Sequence, residues 1–242
     1  MEDSRVKKVI IKKSVKIPLF DIDWTLLEGG NKIHNDSFDF AFRTVYNQPT
    51  ASKKEIVTHG MIDTQIIIEV LKLHGVSKQI AKSKMKQALE AMVDYYNKHC
   101  ETGNYILMPG VKELLEKLKK HNVPIGLLTG NVMEIAWKKM EKAGIKKYFS
   151  FGAFGSMAYN RADLVKIAQK ETEKILGLAI PLNRFVIVGD APGDVICAKV
   201  NGIEAIAVAT HNYSKQELMV SGADLTVDSL KDQEILKFLK VI

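Results

Sequence analysis

The chain predicts a doubly wound parallel α/β sheet with an all-helical segment inserted near its beginning. Three observations carry that expectation. From residue 105 onward, short apolar runs alternate regularly with amphipathic stretches. The runs are apolar at every position, as strands must be when helices cover both faces of a parallel sheet. Residues 31–104, in contrast, hold no strand-like run at all.

The first strand is expected at 15–22, in VKIPLFDI. Pro18 cannot donate to a ladder, which predicts an edge position or a bulge or, if the strand is central, firm pairing confined to 19–22. In the inserted segment, Asn35 or Asp36 is placed to cap a helix carrying Phe38, Phe42, Val45 and Tyr46. Asp63 is placed to cap a second, with Ile66, Ile67, Val70 and Leu71, ending near Gly75. A third, over 77–100, carries Met85, Ala88, Leu89, Met92, Val93 and Tyr96 at helical spacing. Beyond it the series runs helix 111–121, strand 123–130, helix 131–144, strand 148–154, helix 161–177, strand 185–190, helix 192–201, strand 204–210, helix 214–221, strand 225–227 and helix 229–239. The domain reading is an N-terminal extension (1–14), a core of 15–30 and 105–242, and a helical cap of 31–104.

At 242 residues, 46% of them hydrophobic, the chain has enough apolar material for one large domain or a domain with an insertion. No apolar run approaches the ~20 residues that span a bilayer, and VKKVIIKK at the N-terminus lacks the apolar centre and cleavage site of a secretory signal. A cytoplasmic address without a membrane partner is the expectation. Cys100 and Cys197 are far apart, so neither a disulfide framework nor a zinc site is expected, and both read as buried thiols. The net charge of +7 is spread over helix faces with acids interleaved. Lys7, Lys8, Lys12 and Lys13 form the densest patch, but nucleic acid is not the expected partner. The basic balance favours small anions instead. Monomer and homodimer both stay open.

In open parallel sheets ligands bind beyond the carboxyl ends of the strands. Those ends read Asp21-Ile-Asp23-Trp-Thr25, then Thr129-Gly130-Asn131, then Gly189-Asp190-Ala-Pro-Gly-Asp194. Four acids converging on one edge repel one another unless a cation compensates. Oxygen donors without a nearby His or Cys pair favour Mg²⁺. On a strand, residues i and i+2 face the same side, so Asp21 and Asp23 would reach one substrate.

DIDWTLL, LLTGN, Arg161 and VIVGDAPGD, in that order, resemble the haloacid dehalogenase superfamily in its phosphatase branch, similar to phosphoglycolate phosphatase, with a helical cap inserted after the first motif. The resemblance covers nearly the whole chain from about residue 15. It implies a Mg²⁺-dependent phosphomonoesterase acting on a small phosphorylated metabolite. Asp21 would be the nucleophile that becomes an aspartyl-phosphate, and Asp23 the general acid and then base. The metal would be held by Asp21, the backbone carbonyl of Asp23, Asp190 and, directly or through water, Asp194. Thr129 with the amides of Gly130 and Asn131 would bind the phosphoryl oxygens. Arg161 stands for the superfamily's usual lysine, with Lys166 as the alternative. Trp24 occupies a place where glycine is common. In similar caps the loop before the second helix, here Thr58 to Asp63, faces the site; His59 within it reads as a solvated side chain, and Gly29 and Gly30 suit a hinge or a turn. Phosphonoacetaldehyde hydrolases need a lysine in that loop, and Ile62 stands near its place. A sugar-phosphate mutase of the same fold and a non-catalytic binding protein are the rival readings.

Overall fold

The computed structural model describes residues 14–29 and 31–242. The extension at 1–13, with its four lysines, and Gly30 lie outside the described residues. In chain order the elements are β1 (Ile17–Phe20), α1 (Lys32–Val45), α2 (Asp63–Leu73), α3 (Lys78–Ser83), α4 (Met85–His99), α5 (Val111–Lys120), β2 (Gly126–Thr129), α6 (Met133–Lys142), β3 (Phe151–Phe154), α7 (Asp163–Leu176), β4 (Phe185–Gly189), α8 (Pro192–Val200), β5 (Glu204–Val208), α9 (Lys215–Val220), β6 (Leu225–Val227) and α10 (Glu234–Phe238). Among the described residues no helix is long and apolar enough to cross a membrane.

The six strands form one parallel sheet in the order β3-β2-β1-β4-β5-β6, the doubly wound arrangement expected. The winding direction reverses between β1 and β4, and there the strand ends splay to make a crevice. Adjacent residues of each strand serve opposite layers. Phe20, Leu127 and Val188 pack with Leu115 and Leu118 of α5 on one face; Leu19, Leu128 and Ile187 pack with Leu164 of α7 and Val195 of α8 on the other. This explains why the strands read as unbroken apolar runs.

Pro18 turns out to sit in a central strand. β1 pairs with β4 from Ile17 through Phe20, but with β2 only at Leu19 and Phe20. The β2 side is where the missing N–H leaves a gap, so proline is accommodated without a bulge. The strand is shorter than the expected 15–22, and pairing toward β2 stops at residue 20 rather than 22.

The helices of 31–104 bury their own apolar cluster, in which Phe38, Phe42, Ile67 and Met92 join Val132 and Ile135 next to and within α6. The seam between inserted and flanking chain is therefore apolar at Val132 and Ile135. The two connections run side by side, Glu28 donating to Ile106 and Met108 to Leu26. Caps differ from expectation. α1 starts earlier, on Asn31, whose side chain accepts from the His34 amide at 3.1 Å; Asp36 pairs with Lys32 instead. Asp63 is the first residue of α2 rather than its cap, which leaves its carboxylate free for other partners. The expected 77–100 helix breaks into α3 and α4 at Lys84, which reaches back to the Val45 carbonyl at 3.2 Å. α6 begins at Met133 rather than 131, so the Thr129-Gly130-Asn131 stretch precedes the helix.

Candidate active site

The ends of β1, β2 and β4 open into a cavity of about 290 Å³ whose other wall is the chain from Lys53 to Asp63. Asp21, Asp23, Gly130, Asn131, Arg161, Asp190 and Asp194 all line it. Thr129 is fully buried behind them, its hydroxyl accepting from the Asn131 side chain at 3.0 Å. Lys166 is exposed on α7 and does not line the cavity, whereas Arg161, just ahead of α7, is buried within it.

Asp21 directly follows β1, its amide still donating to Val188 of β4 at 2.9 Å. Asp190 follows β4, and Asp194 lies in the first turn of α8 with one carboxylate oxygen accepting from the Ala191 amide at 3.2 Å. One carboxylate oxygen of each falls within 4.8 Å of the others. Arg161 Nη2 stands 3.1 Å from Asp21 Oδ1 and is ion-paired with Asp194, while its Nε has no protein partner. One guanidinium thus faces three buried carboxylates. Burial, offset in part by Arg161 but reinforced by Asp194 and Asp23, pushes Asp21 up to about 7. Burial with the charges of Asp194 and Asp21 pushes Asp190 up to about 8. Oxygen-only donors carrying this much uncompensated charge fit a hard divalent cation.

Asp23 has different surroundings. Both Asp21 and Asp23 line the cavity, as their i, i+2 spacing predicts, and the chain turns only beyond them, at Trp24, φ +62°. Asp21 and Asp23 share the cavity but turn to separate partners. Lys139 Nζ, on α6, lies 2.8 Å from both Asp23 oxygens, and the Asn131 side chain donates to Oδ2 at 2.9 Å. Burial opposes ionisation of Asp23, but Lys139 and these hydrogen bonds outweigh it and hold the carboxyl well below its ordinary range. Lys139 is only 1% exposed. It also donates to Asn131 Oδ1 at 2.6 Å and faces His34 Nδ1 at 3.3 Å; His34 Nε2 in turn is 2.9 Å from Asp63 Oδ2, which accepts from the Val132 amide at 2.8 Å.

Lys139, His34 and Asp63 were not among the residues that motif reading selects. A signal existed: Lys139 shares the face of α6 that buries Ile135, Ala136 and Met140, and a lysine on an apolar helix face needs a buried partner.

The wall facing the strand ends is held by close backbone approach. The Asp63 amide donates to the Gly130 carbonyl at 2.8 Å, and a Cβ on Gly130 would lie 2.3 Å from the Met61 carbonyl oxygen. His59 is exposed yet engaged rather than simply solvated, with Tyr213 Oη at 3.1 Å and the Asn212 side chain at 2.9 Å. Trp24 stacks on His211 at 3.5 Å, and a side chain at Gly29 would strike the indole. The positive φ of Trp24 gives a physical reason for glycine's frequency at that place.

Residues 18–208 match the family model described as haloacid dehalogenase-like hydrolase. The chain belongs to this family. Among its haloacid dehalogenase-like relatives, the phosphoglycolate phosphatase of Yersinia pestis is 26% identical over 239 residues, covering 92% of this chain and 98% of the relative. A phosphorylated carbohydrates phosphatase of Thermotoga maritima is 30% identical over 139 residues, covering 55% and 60%. A solved hydrolase from Pseudomonas syringae shares the fold at TM-score 0.67 with 20% identity, covering 94% of this chain and 99% of that one. These relatives set the chain among the family's phosphatases.

Proposed function

We propose that this phosphatase hydrolyses a small phosphomonoester through an aspartyl-phosphate on Asp21, with Mg²⁺ as its metal and residues 31–104 acting as a cap over the site. The single observation that carries this reading is the arrangement around Asp21: a buried carboxylate at a strand end, within 4.8 Å of two more and beside a buried guanidinium.

Asp21 attacks phosphorus as the ester P–O bond breaks. Arg161, whose Nε has no protein partner, lines the cavity together with Gly130 and Asn131, so its guanidinium and the amides of those two residues would serve the phosphoryl oxygens. Thr129 supports this binding from behind by orienting Asn131. When bound, Mg²⁺ on the carboxylates of Asp21 and Asp190 and the Asp23 carbonyl, with Asp194 directly or through water, would lower the repulsion between nucleophile and phosphate. Asp194 already has both oxygens in use, one toward Arg161 and one toward Ala191, which suits the more distant of those roles. Asp23, ionised in the free site, takes the proton that a phosphomonoester monoanion brings and passes it to the leaving alkoxide. It then removes a proton from the water that cleaves the acyl phosphate. The cap walls off the site while this happens. The cytoplasmic address belongs to the same proposal.

The test is hydrolysis of 4-nitrophenyl phosphate with and without Mg²⁺, comparing wild type with Asp21→Asn. Activity that needs the metal and drops on the order of 10³-fold or more in the variant is the expected outcome. Activity that survives both changes sinks the mechanism. A panel of phosphorylated metabolites, with free phosphate measured, then separates hydrolysis from transfer within a sugar.

A further inference from the structure

Asp23 is built into a second, self-contained array that the motifs do not contain. Asp63 Oδ2 accepts from the Val132 amide and stands 2.9 Å from His34 Nε2, which is the donor to a carboxylate there. That tautomer leaves the Nδ1 lone pair toward the Lys139 ammonium. Lys139 in turn spans both oxygens of Asp23 and the Asn131 amide oxygen. The row runs carboxylate, neutral imidazole, ammonium, carboxylate, and His34, Asp63 and Lys139 are each almost wholly excluded from solvent. Two of these groups come from α1 and α2 of the inserted segment and the rest from the core. The other charged and titratable groups around it are Lys53 from the turn before α2, Tyr96 from α4, and Asp21.

We propose that Lys139 is a positioning residue for Asp23, held in place from the inserted helices by the His34–Asp63 pair, so that Asp23 is aimed at the ester oxygen rather than at the nucleophile's cation partners. A carboxylate gripped through both oxygens loses the freedom to swing the short distance toward Arg161 and the metal donors. A misplacement of about 1 Å at an acid–base group costs on the order of 10²-fold in rate. This inference rests on the phosphatase reading.

The test exploits leaving groups. In kcat/KM, which reports only events through phosphorylation of Asp21, a 4-nitrophenolate needs little help from an acid, whereas the alkoxide of β-glycerol phosphate needs it fully. The readout is the ratio of kcat/KM for β-glycerol phosphate to that for 4-nitrophenyl phosphate. Lys139→Met is expected to lower this ratio about 10²-fold, and to lower it no further in an Asp23→Asn background. Because Lys139→Met leaves a part-buried acid without its counter-charge and risks misfolding, His34→Gln is measured beside it, with an expected fall of about tenfold. Cooperative thermal unfolding of each variant is checked before kinetics. An unchanged ratio with both substrates slowed alike, or losses that multiply in the Asp23→Asn background, overturns the assignment and leaves Lys139 a structural residue. A wild type that cleaves neither ester overturns the phosphatase reading itself, and this inference falls with it.

Discussion

Two polar clusters lie side by side under the same cavity, and they are built on opposite principles. Around Asp21, Asp190 and Asp194 three carboxylates share one guanidinium. Around Asp23, each polar group meets a partner: ammonium against carboxylate, a neutral imidazole donating to carboxylate, with amides filling the remaining positions. The first is electrostatically incomplete and can be finished only from outside, by a cation and by whatever anion that cation brings. The second is finished within the chain. One cluster is organised to receive, the other to hold a side chain still. This difference teaches more than the identity of the acids, because four aspartates at strand ends look alike until their partners are known.

Removing one member of each cluster gives the largest contrast. Asp190→Asn takes away repulsion, so the metal-free variant is expected to be more stable than wild type, by roughly 1–3 kcal/mol at pH 8. Its turnover should nevertheless fall by roughly 10²–10⁴-fold, since a cation's contribution of several kcal/mol is lost. Lys139→Met leaves a part-buried carboxylate without its counter-charge and should destabilise by about 1–3 kcal/mol. Urea titrations of the metal-free proteins measure both shifts, and two shifts of the same sign would break the distinction between the clusters.

The response to pH is the next largest effect and has opposite signs for the two. Asp21 and Asp190 ionise near 3.8 when unfolded but near about 7 and about 8 when folded. Between those values the native state holds more protons, so its stability falls as pH rises from about 4 to about 8. The carboxyl of Asp23 is depressed instead, so its contribution is present above 3.8 and lost as pH drops below that value. Metal-free protein should therefore have a thermal midpoint that peaks on the acid side of neutrality, and saturating Mg²⁺ should flatten the alkaline limb alone. A midpoint that rises steadily from pH 5 to pH 8 without metal contradicts the first cluster's incompleteness.

The first cluster is also the one that was legible in the sequence, and the reason is local. Asp21, Asp190 and Asp194 each follow an apolar strand within a few residues, so recognising the strand places the acid, and the parallel order of the strands brings the acids together. Arg161 was legible too, as the cation ahead of a helix. The second cluster joins residues separated by 116, 105 and 29 positions, and no strand end announces them. His34 and Asp63 lie in helices whose caps were misjudged, and the misjudgement mattered. Giving Asp63 to a cap assigns its carboxylate to its own helix, when it serves His34 and Val132. Pro18 misled for a related reason: a strand's two edges are separate ladders, and linear sequence does not say which one a missing donor faces. The helical character of residues 31–104 was readable from the absence of strand patterns. Its apolar seam with Val132 and Ile135 was not, because a residue buried against an insertion looks the same as one buried against the sheet.

The smallest expected effect tests whether the second cluster depends on how the inserted segment sits. Gly60, at φ +76°, and Gly193, in the first turn of α8, touch through their backbones; a Cβ on Gly193 would lie 2.6 Å from the Gly60 Cα. Gly193→Ala suits the helix, which gains up to about 1 kcal/mol from the exchange, so overall stability should change little. The new methyl group must nonetheless displace the 58–61 loop by several tenths of an ångström, and with it the start of α2 and Asp63. Gly193→Ala is expected to lower the β-glycerol phosphate to 4-nitrophenyl phosphate ratio by about three- to fivefold, corresponding to somewhat less than 1 kcal/mol. The Mg²⁺ concentration for half-maximal rate should stay within twofold of wild type, because the carboxylates of the first cluster sit on strand ends and α8 rather than on the loop. If instead metal demand rises while the ratio holds, the inserted segment braces the receiving cluster and not the holding one, and the division of labour between them must be redrawn.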